Sequence, residues 1–470
     1  MNTNSPAIAV NVIDPIPHAV YQRNERNAAA LPIRFQLSFA VTGNVEARFI
    51  SSATGSEWTT IGSIDGTEFV GHLAEAPIGR YTVEVRISAS AGGSNEAVVS
   101  AFSVEPVFVG DLWVMAGQSN MEGCGKLVDF ESPQEGVSCF YLGDRWGIAE
   151  DPLCWLNDSI DPVHRITPTP QHPVIGDTIA RHNRIRGASL AIPFAKELLR
   201  HTGVPVGLIM CAHGGTSMEQ WDRERPGDIG TTLYSAMMRK VRKQGGKVKG
   251  VLWYQGESDA NEQAAPYYRE RTKSFVEALR RDLGDPGLPF VYAQLSVVYT
   301  WGRGPESWDH IREEQRLMES ELGCAAIVPT IDATLSDSIH LDAPSLREVG
   351  KRMAWRALSI AYGIDAAKPG PRPSGFEWNA DRTLLRVALS GVNGRLLQPI
   401  GNPFGFAADH SGAPLPVTAA ISAEGDSVLI RFERSAPDGT RLWHGNGLNP
   451  AVNIKDERGI PLLAFGPIPV

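Results

Sequence analysis

Through the first hundred residues hydrophobic and polar positions alternate with a period of two. Ile33-Arg34-Phe35-Gln36-Leu37 and Tyr81-Thr82-Val83-Glu84-Val85-Arg86-Ile87 each place their apolar side chains on one face, and Gly, Asn and Ser interrupt the runs. This predicts a small β-sandwich over residues 1–108. From 109 to 368 the pattern changes to continuous apolar runs of about five residues, as strands buried on both faces require. These runs are Leu112 to Ala116, Val206 to Cys211, Gly250 to Tyr254, Phe290 to Leu295 and Ala326 to Ile331. Helical spacing appears between them, from Ser189 to Leu199, from Pro266 to Leu283 and from Ser345 to Ala361. In the second of these, Tyr268, Thr272, Phe275, Val276 and Leu279 share one face. Strands alternating with helices predict an α/β domain of three layers around a parallel sheet. Past the Pro/Gly-rich segment from Pro369 to Gly375 the strand pattern returns, from Leu384 to Leu389 and from Ser427 to Phe432, so residues 369–470 read as a β-rich domain. The stretch from Lys126 to Gly187, rich in Pro, Asp, Trp and His, is too long for a plain connection and reads as a functional loop.

Composition narrows the possible functions. Hydrophobic residues make up 42% of the 470 and charged residues 21%, which excludes a mainly disordered chain. Asp plus Glu number 53 against 44 Lys plus Arg, a net charge of -9, which argues against nucleic acid as the partner. No apolar run is long enough for a transmembrane helix. The first residues, MNTNSPAIAVNVIDPIPHAV, have neither a basic n-region nor an apolar h-region. This predicts a cytoplasmic protein, although a secreted mature form would read the same. Cys124, Cys139, Cys154, Cys211 and Cys324 are odd in number and widely spaced, as reduced thiols are. With no CxxC and no HExxH, no metal centre is predicted, and His164, His172 and His182 read as loop histidines.

Four short segments carry candidate chemistry, each at the carboxyl end of a predicted strand or just before a helix, where open α/β sheets bind ligands. Gly117-Gln118-Ser119-Asn120-Met121 places a serine at a strand-to-helix turn, where it either exposes a nucleophilic hydroxyl or caps a helix. His213-Gly214-Gly215-Thr216-Ser217 either presents backbone N–H groups to a ligand or simply turns. Trp253-Tyr254-Gln255-Gly256-Glu257-Ser258-Asp259 offers a side-chain amide and a carboxylate, or a polar cap for the next helix. In Asp337-Ser338-Ile339-His340 an acid three residues before a histidine can orient its Nδ1–H and leave Nε2 free as a base.

Taken together, these segments resemble the SGNH hydrolases, and within them the carbohydrate esterases of the sialate O-acetylesterase and acetylxylan esterase type. The likeness extends over FVGDLW before GQSNM, over SLAIPFAKELL, VPVGLIMCAHGGTSMEQW and VLWYQGESDA, and over the tail NPAVNIKDERGIPLLAFGP. It implies a three-layer, flavodoxin-like SGNH domain flanked by β-rich segments. It also implies Ser119 as nucleophile, His340 as general base, and an oxyanion hole of the Ser119 N–H, the Gly215 N–H and the Gln255 side chain. Gln stands where most SGNH enzymes have Asn. The acid partner of His340 is Asp337 or, as in the branch with QGE, Glu257; the short local spacing favours Asp337. The continuation DSIHLD is closer to the acetylxylan form than to the His-Pro of sialate esterases.

The implied activity is O-deacetylation of an acetylated sialic acid, xylan or other glycan through an acyl-enzyme, without metal or organic cofactor. A base that must be neutral implies activity that falls in acid. Trp221 and Arg223, after the glycine turn, are candidate substrate contacts, with Arg suited to a sugar carboxylate or to a surface ion pair. Trp146 and Trp155 either stack on a sugar or pack the long insertion. A broad short-chain acyl esterase of the same fold and a non-catalytic carbohydrate-binding protein are the alternatives. The oligomeric state is not encoded in any motif.

Overall fold

A computed structural model describes residues 8–51, 55–90, 96–165, 185–299, 302 and 304–470. Its organising element is the long strand Glu96–Gly117. The first part pairs antiparallel with Gly79–Ser90. The last part lies parallel between Val206–Met210 and Gly250–Tyr254. Beyond Gly250–Tyr254 follow Phe290–Ala293 and Ala325–Val328, and beyond Val206–Met210 follow Val137–Phe140 and an antiparallel edge, Trp146–Ile148. All of these strands belong to one hydrogen-bonded sheet.

The boundary expected between residues 108 and 109 therefore falls inside a strand. The N-terminal region is a mainly antiparallel sheet, with Val20–Gln22 pairing parallel to the long strand, and it is continuous with the parallel sheet rather than a separately hydrogen-bonded unit. Its strands Ala28–Ile50 and Thr59–Pro77 carry several register shifts, which bend long strands. Leu31, Phe35, Val45, Val85 and Val107 give it a core of its own.

Val206–Met210 and Gly250–Tyr254 are buried at every position, as strands covered on both faces must be. The predicted helices are present as Ala191–Thr202, Tyr268–Leu283 and Ala343–Tyr362. Two more, Leu233–Lys243 and Pro305–Glu321, were not expected, and strand Val137–Phe140 lies in the stretch expected to be loop. Ala191–Thr202 packs against Ala343–Tyr362. Gly350 makes this approach possible, because a Cβ there would stand 2.4 Å from Leu190 O.

The C-terminal region forms two four-stranded antiparallel sheets that share a core including Leu385, Val387, Val428, Ile430 and Leu442. Buried Arg312 joins it to the central region, donating to Leu295 O and Ser296 O on one side and Gly445 O and Gly447 O on the other. Gln294 exchanges two hydrogen bonds with the Ala464 backbone. The next stretch relays the contact, with Val298 N donating to Leu448 O and Tyr299 N to Ser338 O in the histidine loop. No helix among the described residues is long and apolar enough to cross a membrane.

Candidate active site

The four segments converge at the carboxyl edge of the parallel strands. Gly117 ends its strand opposite Tyr254, and a Cβ on Gly117 would sit 2.2 Å from Tyr254 O, so only glycine fits its φ of 133°. Gln118 N then donates to Tyr254 O, and His213 N to Gly117 O. The serine turn is thus hydrogen-bonded to the segments on both sides. Ser119 opens the single helical turn Ser119–Glu122, largely shielded from solvent.

Gly214 lies directly beside the serine, since a Cβ there would come within 3.4 Å of Ser119 Cβ. Its N–H is taken by Glu122 Oε2 at 2.7 Å. Gly215 follows with φ 71° and is exposed. Among the described residues neither the Gly215 N–H nor the Ser119 N–H has an acceptor, so both remain available to an oxyanion.

His340 Nδ1 lies 2.8 Å from Asp337 Oδ2. Asp337 Oδ1 accepts the N–H groups of Ile339 and His340, and Oδ2 also accepts from Arg186 Nη1 at 2.6 Å. Burial alone would raise the Asp337 carboxyl. The bonds from the His340 ring and the two amides outweigh it and hold the group at about 2. An ionised acceptor at Nδ1 fixes the proton there and leaves the Nε2 lone pair free.

Glu257 is placed differently. It is 1% exposed, and its Oε1 accepts from Asn120 Nδ2 at 2.8 Å rather than meeting His340. Burial pushes its carboxyl up to about 7, and its Oε2 has no partner among the described residues.

Asn120 is the residue that sequence reasoning missed. Its Nδ2 binds Glu257 and its Oδ1 accepts Leu341 N at 3.1 Å, so the neighbour of Ser119 holds the neighbour of His340. No hydrogen bond joins Ser119 Oγ to His340 Nε2 directly; catalytic bonds of this kind often form only with substrate in place. Asn120 was visible inside the GQSNM motif, but nothing in the sequence showed what its amide would meet.

The remaining expectations are revised by burial and bonding. Gln255 is completely buried, and both of its amide hydrogens are already given, to Thr216 O at 3.0 Å and Asp259 Oδ2 at 2.6 Å. In this arrangement it braces the glycine turn from below. Trp221 cannot contact substrate, because it is 0% exposed, packs edge-on against Trp253 and donates to Thr216 Oγ1. Arg223 is held in a surface ion pair with Asp282, with Glu224 alongside.

The aromatic and histidine residues of the long insertion also have structural partners. Trp146 donates to Gln244 Oε1 at the end of helix Leu233–Lys243, and Trp155 to Pro152 O within the insertion itself. His164 is fully buried with Nδ1 3.2 Å from His213 Nδ1. Burial drives its ring down to about 3, so it stays neutral and anchors the insertion to the glycine turn. His172 and His182 lie outside the described residues. All five cysteines are free thiols.

Residues 109–359, more than half of the chain, match the family model described as carbohydrate esterase, sialic acid-specific acetylesterase. The chain belongs to this family. It is a family of carboxylic ester hydrolases that act on O-acetylated carbohydrates. A probable carbohydrate esterase of Arabidopsis thaliana is 28% identical over 274 residues, covering 54% of this chain and 92% of the plant protein. The sialate O-acetylesterase of Mus musculus is 23% identical over 348 residues, and the match spans 60% of this chain and 62% of the mouse protein. Among solved structures, a carbohydrate acetylesterase from Xanthomonas citri superposes with a TM-score of 0.66 at 26% identity, over 96% of this chain and 97% of its own. This esterase family thus accounts for the mixed α/β core, and the Xanthomonas enzyme has a comparable overall architecture.

Proposed function

We propose that this protein is a serine esterase that removes O-acetyl groups from a carbohydrate, with residues 109–368 as an SGNH-type three-layer catalytic domain. The observation that carries this reading is the Asn120 link, which joins the Ser119 turn to the Asp337–His340 loop. His340 Nε2 takes the Ser119 proton as Oγ attacks the acetyl carbonyl. The Ser119 and Gly215 N–H groups receive the oxyanion. His340 then protonates the departing sugar oxygen, and water hydrolyses acetyl-Ser119. Asp337 holds the histidine tautomer. Glu257 acts through Asn120 as a positioning residue, and Gln255 as the brace of the glycine turn. This acyl transfer calls for no metal or organic cofactor.

The test is acetate release by the wild type and Ser119→Ala from acetylated xylan and from O-acetylated sialic acid, side by side. Release from one of them, lost in the variant, supports the reading and names the sugar class. Release from neither, with nitrophenyl esters of longer acyl chains preferred, favours the broad acyl esterase. No Ser119-dependent turnover of any ester overturns the proposal.

A further inference from the structure

One cation touches the proposed catalytic machinery and has no role in the steps above. Arg186 sits on the short strand Arg186–Ala188, which pairs antiparallel with Gly125–Lys126. Its Nη1 lies 2.6 Å from the same Asp337 oxygen, Oδ2, that faces His340 Nδ1 at 2.8 Å. The other oxygen, Oδ1, is occupied by two backbone N–H groups. The carboxylate is therefore held from both ends, and its His-facing oxygen is divided between an imidazole and a guanidinium. Arg186 is 44% exposed on its side chain, so its charge is partly screened by water.

We propose that Arg186 is a positioning residue of the Asp337–His340 pair, fixing the carboxylate against the imidazole and drawing part of its charge away from it. This inference rests on the esterase reading for its consequence in turnover, but not for its consequence in the imidazole itself. A full share of Asp337 would stabilise the imidazolium. A guanidinium on the same oxygen weakens that share and adds a positive charge nearby, and both effects disfavour protonation of His340.

Among the described residues, the other ionisable groups around the pair do not duplicate it. Glu122 is bonded to Gly214 N on the far side of Ser119, and Glu257 lies behind Asn120. Asp342 caps the following helix through Ser345 N. Lys126 stands opposite Arg186 in the two-stranded ribbon and adds charge of the same sign. Among the described residues, Arg186 is the one Arg or Lys side chain bonded to Asp337.

The experiment compares the wild type, Arg186→Gln and Arg186→Lys in two measurements. The first is the pH profile of kcat/KM on nitrophenyl acetate, a neutral substrate with no carboxylate to bind. The second is the NMR titration of the His340 imidazole, assigned by its loss in His340→Asn, which needs no turnover. In Arg186→Gln both the acid limb and the imidazole titration are expected to move up by about half a unit to one unit, the range for one partly screened neighbouring charge. Arg186→Lys, which keeps the charge but not the fork, is expected to move less. If neither measurement moves, or if the titration moves down, the proposal is overturned. It is equally overturned if the profile is unchanged and only KM for an anionic acetylated sugar rises, because Arg186 is then a substrate contact. Thermal unfolding of each variant confirms the fold. Were Arg186→Gln not to fold, the Lys variant carries the same test with the same sign. Absence of wild-type turnover would refute the esterase reading while the titration still decides the role of Arg186.

Discussion

Two acidic segments flank the serine turn, and they treat their carboxylates in opposite ways. Asp337, about one-fifth exposed, is surrounded by donors and remains ionised down to about pH 2. Glu257, sealed behind Asn120, has one oxygen bonded and one without a partner among the described residues, and burial lifts it to about 7. The same functional group thus supplies charge in one place and an acceptor for positioning in the other. Proximity of an acid to a catalytic motif says little about its role. The number of donors around it and its access to water decide which of the two it performs.

The largest effect should come from the shared element of the two regions. Ser119→Ala removes the nucleophile and is expected to lower kcat on nitrophenyl acetate by about 10⁶-fold, towards the level left by oxyanion binding alone. The comparison itself breaks at Asp337→Asn. A neutral amide no longer stabilises the imidazolium and can impose the wrong tautomer, with a loss on the order of 10⁴-fold in kcat. Glu257→Gln, which still offers Asn120 an acceptor oxygen, should retain kcat within about 10-fold if only the hydrogen bond matters. Equal losses in the two amide variants would show that the carboxylates do the same work.

Asn120→Ala sharpens the contrast from the side of the link. It leaves Leu341 N and Glu257 without their partner, and each buried group so exposed costs about 1–3 kcal/mol. Steady-state kinetics should show kcat reduced by about 10- to 100-fold with little change in KM, alongside a lower melting temperature. An unchanged kcat would separate the link from catalysis.

The smallest effect lies in the pH dependence of stability, and its sign differs between the two acids. Asp337 has a folded value below its ordinary 3.8, so its contribution is present above that value and is lost as pH falls towards about 2. Glu257 has a folded value above its ordinary 4.5, so the native state favours the proton and stability is lost as pH rises from about 4.5 through about 7. Glu257→Gln should therefore be nearly neutral at pH 5 and stabilising at pH 8. Melting temperatures of both proteins at the two pH values check this, and a variant that melts below the wild type at pH 8 contradicts it.

Strands buried on both faces were legible because Val206–Met210 and Gly250–Tyr254 are apolar at nearly every position. Helix Pro305–Glu321 was not. Its buried stripe of Trp308, Ile311, Arg312, Gln315 and Met318 includes two polar residues, which break an apolar periodicity. Those two are buried because they have tertiary partners, Arg312 among carbonyls of the C-terminal region and Gln315 on Leu295 N and Gln255 O. The site divides in the same way. The Asp337–His340 contact is local in sequence and could be read from spacing. The bonds of Asn120 to Glu257 and Leu341 and of Gln255 to Thr216 join residues far apart in the chain, and no spacing rule points to them.

The relay from Leu448 through Val298 and Tyr299 to the histidine loop has a consequence for how the protein is made. Val298 N donates to Leu448 O and Tyr299 N to Ser338 O, so a segment far downstream of His340 supports the loop that carries it. On the ribosome, Ser119, Gln255 and His340 all emerge before that support exists. A nascent chain that has not yet reached Leu448 lacks this brace. The setting of the histidine loop is in that sense shared with chain that is synthesised after it.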